Sequence, residues 1–370
     1  MKKFILMAAV LTVSVVASAK TWRINPNAAA KPDFTSLKAA CDAKKVVKGD
    51  TLYCEPGLYT NEDENYITKN CLTILGPGFG FKGAFGSTST IAEAHFPAIM
   101  HVKADTLNII GLKVKNMFID GDYYGVRMDL VIERNYIGRL YHNPNYLKRI
   151  TLRNNFFSAY FADRVGDSPV NFQALELQNL DIQNNIILSG YYGIIANAGS
   201  STSALIAHNT IVGDCDRNGY PAIRADYSVI RDNIVINKNA NKGASVLLDF
   251  NSLSTCNVHN NVFSLDPDLV DASILAQYGK DNYFVKATLA NTFTCTKIDN
   301  AEETYYQLKE GSVAKNKAYQ GEDCGAFAGS WPFIIYGRPQ GLPYIYDVKA
   351  PATPTDDQLT ITFKVKANNE

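Results

Sequence analysis

Three charged side chains recur at matching places in short apolar segments of this 370-residue chain: Arg224, Asp226 and Asp249. The segments read GVRMD to Asp129, GIIAN to Asn197, AIRAD to Asp226 and SVLLD to Asp249. If each is a strand, its side chains alternate between two faces. Val126, Ile194, Ile223 and Val246 then point inward, as do Met128, Ala196, Ala225 and Leu248. Arg127, Ile195, Arg224 and Leu247 form one outward column, and Asp129, Asn197, Asp226 and Asp249 form the next. Strands stacked about 4.8 Å apart would set Asp226 beside Asp249 with Arg224 alongside.

The chemistry open to such a set is limited. Aspartates can hold calcium through hard oxygens, which makes Asp226 and Asp249 candidate metal ligands. That ion, or Arg224, can offset the enolate-like charge left when a proton leaves the carbon beside a carboxylate. Two carboxylates can instead act as acid and base in hydrolysis, with their separation setting the outcome. Arg224, Asp226 and Asp249 are therefore the candidate catalytic residues. Arg127, Asp129, Asn197, Tyr192 and Tyr220 are the candidate substrate contacts, since rings stack on sugar faces and amides bond hydroxyls. Asp163, Arg164 and Asp167, in a longer insertion, are placed to line the same groove. The ordinary role of outward Arg and Asp on a solvated sheet is surface ion pairing, which contributes roughly 0–1 kcal/mol.

A repeat must position these side chains. Seven segments end in one phrase, alternating apolar residues followed by asparagine: Asn116, Asn135, Asn155, Asn185, Asn209, Asn233 and Asn261. Their mean spacing of about 24 residues, with period-2 apolarity in each unit, marks a solenoid whose coils bury their faces only by stacking. The asparagines should then form one column, each amide bonding its neighbours and the turn. His208 and His259, next to two of them, read as turn residues. Phe34–Lys44 predicts a short amphipathic helix capped by Thr35 or Ser36, lying across the first coil with Phe34 and Leu37 buried. Ala301–Lys309 predicts another helix, and Leu359–Val365 a strand in a terminal hairpin or docking element.

Coils of this length with a stacked turn asparagine resemble the right-handed parallel β-helices of the pectin-lyase-like superfamily. Tyr306–Ala314 (YQLKEGSVA) and Asp323–Phe327 (DCGAF) are similar to the closing segment of secreted bacterial β-helix proteins. Gly329–Ile345 is similar to tails of Bacteroidetes members. The resemblance implies an all-β, right-handed parallel β-helix over about residues 34–350. It implies a substrate groove on the first-strand face, as in the polysaccharide lyases, where an arginine or lysine commonly takes the proton. It does not choose among lyases, hydrolases, esterases, epimerases and adhesins. Gly-His-Gly with clustered aspartates, Asp-Phe-Ile-Phe-Gly, Trp-x-Asp-His and Arg-x-Pro-x-x-Arg are all missing.

Met1–Ala19 has a basic start, a short apolar stretch and a small-residue cleavage site, the pattern of a signal peptide. The chain is thus expected to be secreted or periplasmic. Lys+Arg and Asp+Glu each number 36, and losing Lys2 and Lys3 with the leader leaves a slight acidic excess. That argues against nucleic acid as a partner, and no later stretch is long enough to span a membrane. The expected organisation is a cap and first coil over residues 20–60, a β-helix over 61–321, and a closing segment with a tail strand over 322–370. A single copy is expected to act on or bind polysaccharide, the alternative being a non-catalytic, adhesin-like surface protein. Of the seven cysteines, Cys54 and Cys71 on the first coil are the pair expected to bridge, with buried thiols as the alternative.

Overall fold

The computed structural model describes residues 19–79, 93–120, 128–142, 146–162, 168–172, 176–196, 203–213, 221–237, 247–249, 256–298, 306–337, 343–349 and 362–367. The leader, Cys215 and the insertion residues Asp163, Arg164 and Asp167 lie outside them. The described strands build a parallel β-helix. One sheet has ten parallel strands, from Thr21–Ile24 through Met128–Glu133, Tyr146–Arg153 and Glu176–Gln183 to Asn257–His259. A second, 15-stranded sheet branches at Tyr136–His142. One arm continues through Phe156–Ser158, Ile186–Ser189, Thr210–Gly213, Ile234–Asn237 and Val262–Phe263. The other continues through Val170–Phe172, Ile194–Ala196, Ile223–Ala225 and Leu248–Asp249. The solenoid therefore has three faces: the ten-stranded leading sheet, the following arm entered after the asparagine turn, and the first-strand face. Gly138 marks the branch. A Cβ there would lie 2.3 Å from the Lys115 carbonyl oxygen, closer than any side chain tolerates.

The turn between leading sheet and following arm sets the register. Asn135, Asn155, Asn185, Asn209, Asn233 and Asn261 are all fully buried. Each amide Nδ2 donates to the next coil's Oδ1 at 2.9–3.1 Å, ending at Asn282. Each of these Oδ1 atoms also accepts the preceding asparagine's backbone N–H. A further Nδ2 contact goes to a strand carbonyl of the coil before, as in Asn209 to Ile182. The residue before each of the six asparagines is left-handed: Arg134, Asn154, Asn184, His208, Asp232 and Asn260.

Asn116 does not belong to this ladder. It lies inside the strand Lys113–Ile119, opposite Arg139. Its coil turns earlier, at Gly111 (φ 72°), and Leu112 takes the ladder position, its N–H donating to Asn135 Oδ1. Asn282 is the rung that the sequence phrase overlooked.

Inward side chains fill one continuous core, including Ile109, Ile132, Leu152, Ile182, Ile206 and Ile230 from the leading sheet. The following arm is apolar on both sides, and Ile186–Ser189, Thr210–Gly213 and Ile234–Asn237 are buried at every position. Such strands need a covering layer, which the chain after Phe284 supplies. Phe293, Tyr306, Ala314, Cys324, Ala326 and Phe333 pack on Phe156, Ile186, Leu188, Val212, Ile234 and Ile236. Described residues 285–298 and 306–321 thus lie against the outer side of this arm as part of a returning strap. The expected helix Ala301–Lys309 falls mostly outside the described residues, and Leu308 bridges to Phe293.

The left-handed column holds this strap. Asn260 Nδ2 donates to Lys317 O, and Asp232 Oδ1 accepts Tyr319 N–H while its carbonyl accepts Gly325 N–H. Asn184 Nδ2 reaches Ala326 O and Ala328 O, and Asn154 bonds Trp331 O and Ile334 N–H. His208 is buried beneath Gly329, with Nε2 3.5 Å from Asp232 Oδ2.

Both ends are closed. Leu37–Asp42 is the N-terminal helix, capped by Ser36, shorter than expected, with Leu37 buried and Phe34 half-buried on the core. Ala272–Tyr278 closes the other end, with Tyr278 edge-on to Phe263. Pro343–Lys349 and Thr362–Ala367 pair as an antiparallel hairpin. Cys54 and Cys71 are unbridged, and Cys54 is a buried thiol whose pKa burial raises. No described helix is long and apolar enough to cross a membrane.

Two predictions follow from this turn column. Asn209→Ala should lower unfolding free energy by about 1–3 kcal/mol, because it strands several buried partners. Asn116→Ala should change it by less than about 0.5 kcal/mol. Urea denaturation of both variants checks the assignment. His208 has a depressed pKa because of burial, opposed by Asp232 and Glu322 and assisted by Arg231. The unfolded chain therefore takes up that proton first, and stability should fall as pH drops below about 6.5. The urea midpoint should drop less between pH 7.5 and 5.5 in His208→Gln than in the parent protein.

Candidate functional site

Strand register decides which outward residues meet. On the first-strand face Ile194 pairs with Ile223 and Ile223 with Leu248, and all three are fully buried. Ile195, Arg224 and Asp249 are therefore neighbours in one column. The expected alignment of Asp249 with Asp226 is off by two residues. It assumed that Val246 sits beside Ile223, whereas Leu248 fills that inward place. Asp226 lies just past the strand Ile223–Ala225 and is 6 % exposed, so it is not an open surface ligand. Its carbonyl accepts the Ser228 hydroxyl at 2.7 Å, tying the corner where the chain leaves this face.

Asp129 is on another sheet. It belongs to the leading-sheet strand Met128–Glu133, in register with Thr106 and Arg149. Arg149 grips it with both Nε (3.0 Å) and Nη2 (2.5 Å), and this bonding raises the Arg149 pKa. The resemblance of GVRMD to AIRAD is local, without shared position in the coil. Tyr192 is half-buried in the corner before Ile194–Ala196. That corner is tight, since a Cβ on Gly193 would lie 2.8 Å from Ala222 O. Arg127, Asn197 and Tyr220 lie outside the described residues, as does the Asp249 side chain.

The column continues far beyond the expected set. Tyr66 pairs with His101, His101 with Phe118, and Phe118 with Tyr141. Leu140 pairs with Val170, which puts Tyr141 beside Asn171, and Asn171 pairs with Ile195. By register one line thus runs Tyr66, His101, Phe118, Tyr141, Asn171, Ile195 and Arg224, with the Asp249 backbone beside Arg224 and Ile195 itself buried. Eight rungs at about 4.8 Å span roughly 34 Å. Its first half is aromatic. Tyr66 and His101 stack with centroids 4.3 Å apart, and Phe118 and Tyr141 lie 4.7 Å apart. Arg139 covers Tyr141 at 4.4 Å, and Lys103 sits 5.0 Å over Tyr66 while pairing with Asp120 at 3.2 Å. His101 and Phe118 meet edge to face at 5.9 Å, so the four rings do not share one orientation. Period-2 alternation in HVKAD, FIDGD and YHNP was too short to reveal this line without the register.

Among the described residues, no three His, Cys, Asp or Glu side chains gather as a metal-binding group. The face combines aromatic rings, cationic groups and the Asn171 amide in a line. Such a surface can seat an extended polar chain with apolar C–H faces. No family model matches the chain, and no curated protein matches it.

Because the Asp129–Arg149 pair lies on the leading sheet and is largely solvent-facing, Asp129→Asn should change stability by less than about 1 kcal/mol. It should leave any ligand binding on the first-strand face unaltered, as measured by titration against the parent protein.

Proposed function

We propose that this is an exported β-helix protein, similar in kind to the pectin-lyase-like superfamily, that binds acidic polysaccharide along its first-strand face. The supporting observation is the strand register that lines up Tyr66, His101, Phe118, Tyr141, Asn171 and Arg224 on one face. The rings of Phe118 and Tyr141 take sugar C–H groups against their π faces, and Asn171 and Arg224 take hydroxyls and a uronate carboxylate. An arginine suits that carboxylate because its guanidinium forms paired, charge-assisted hydrogen bonds. Binding without turnover is favoured over lyase chemistry by two placements. Asp129 stands on a different sheet, and Asp226 is buried at a corner. If turnover occurs, the step is elimination: the proton on the carbon beside the uronate carboxylate passes to solvent, the C–H electron pair forms the double bond, and the glycosidic bond breaks with the departing oxygen taking a proton from solvent. Arg224 would offset the charge that builds on the carboxylate.

The test uses a panel of pectate, alginate and glycosaminoglycan chains, with retention in polysaccharide-containing gels and absorbance of the unsaturated product as readouts. Arg224→Ala should weaken retention at least tenfold, and Phe118→Ala with Tyr141→Ala should weaken it comparably, without loss of fold. Retention with no product supports the binding reading. Product formation that Arg224→Ala abolishes makes the protein a lyase. Undiminished retention in both variants would place the ligand elsewhere and overturn the proposal.

A further inference from the structure

The chain has two tryptophans, and they are used in opposite ways. Trp22 is 6 % exposed, with its indole N–H given to Asp50 Oδ2 at 2.7 Å. Trp331, on the strap, is 51 % exposed. A single exposed apolar side chain is common and means little by itself. Trp331 differs in being held from several directions. Asn154 Nδ2 donates to its carbonyl at 3.2 Å, and Asn154 Oδ1 accepts Ile334 N–H at 2.9 Å. Phe333 is buried against Phe327, and its N–H donates to Ala326 O at 2.8 Å. The Arg153 guanidinium lies 4.9 Å from the ring centroid, which backs the indole with a cation.

Arg153 links that indole to polar groups held in fixed register on the sheet. Arg153 pairs with Gln183 and Thr151 with Asp181 on neighbouring strands of the leading sheet. Arg153 and Asp181 form an ion pair, and Gln183 Nε2 donates to the other Asp181 oxygen at 2.5 Å. An aromatic plate, a carboxylate and an amide are thus set in place before any ligand arrives. Preorganisation of this kind is what lowers the entropic cost of binding.

We propose that Trp331, Asp181 and Gln183 form a second saccharide site, for a neutral pyranose, on the ridge between the strap and the leading sheet. The sugar's C–H face lies on the indole, and its hydroxyls donate to Asp181 and exchange hydrogen bonds with Gln183. A uronate is disfavoured here. Arg153 is already matched by Asp181, so an added carboxylate would find this guanidinium taken and a second carboxylate beside it. The site lies on a different face from the Tyr66–Arg224 column and does not depend on that reading.

The experiment titrates the whole protein with neutral gluco-, xylo- and galacto-oligosaccharides, with oligogalacturonate alongside. Calorimetry gives affinity, and acrylamide quenching of tryptophan emission reports Trp331, since Trp22 is buried. A neutral oligosaccharide should protect the emission from quenching. Trp331→Ala and Gln183→Ala should each weaken its affinity at least tenfold, whereas Trp331→Phe keeps part of it and Arg224→Ala changes nothing. Gln183 is half-buried on the sheet surface, so its replacement tests the site even if Trp331→Ala loosens the strap. Absence of protection by any neutral sugar at millimolar concentration would overturn the proposal. So would binding of oligogalacturonate alone, equal affinity in Gln183→Ala, or loss of affinity in Arg224→Ala.

Discussion

The buried amide of each turn asparagine is the interaction on which the molecule depends. A coil can close only if the chain bends sharply between two strands, and the bend leaves backbone groups inside that no water reaches. The asparagine Oδ1 accepts one such N–H from the neighbouring coil, and Nδ2 reaches carbonyls of the coil before and of its own coil and the amide oxygen of the next. Leaving any of these groups unpaired would cost more than an ordinary hydrogen bond contributes. The bond also runs from coil to coil, so it fixes stacking register as well as turn shape. Where Leu112 interrupts the column, the turn uses Gly111 and the backbone of Leu112 still meets Asn135.

The same geometry creates a second column. Each ladder asparagine follows a residue in the left-handed region, a conformation that favours asparagine, aspartate and glycine. Those side chains project outward in a row. Asn154, Asn184, Asp232 and Asn260 become the hooks on which the strap is hung. The strap in turn hides the outer side of strands that are apolar on both faces. Its docking places Trp331 over Arg153, so a surface feature far along the sequence is a consequence of turn chemistry.

Much of this was legible in the chain. Asparagine at a regular interval after alternating apolar residues gave the parallel β-helix and six of its rungs, and FTSLKAAC gave the cap. The misreadings share a cause, which is that a motif resembles its neighbours without occupying the same part of the coil. Asn116 follows LKVK as other rungs follow their strands, yet the true turn sits four residues earlier at Leu112. GVRMD resembles AIRAD but enters the leading sheet, where Asp129 meets Arg149. SVLLD was aligned by its final aspartate, whereas burial of Leu248 decides the register. The strap was signalled by IILS, TIVG and IVIN, continuous apolar runs that call for cover on both sides. The aromatic line from Tyr66 to Tyr141 was not visible, because its members lie 17 to 35 residues apart in coils of unequal length.

The claim that strand register gathers Tyr66 through Arg224 into one ligand-bearing line is tested most directly by a crystal structure of the protein with a bound uronic-acid oligosaccharide. The account predicts sugar density along the first-strand face, crossing Phe118 and Tyr141, with a carboxylate at Arg224. Density on another face, with that line bare, would contradict it.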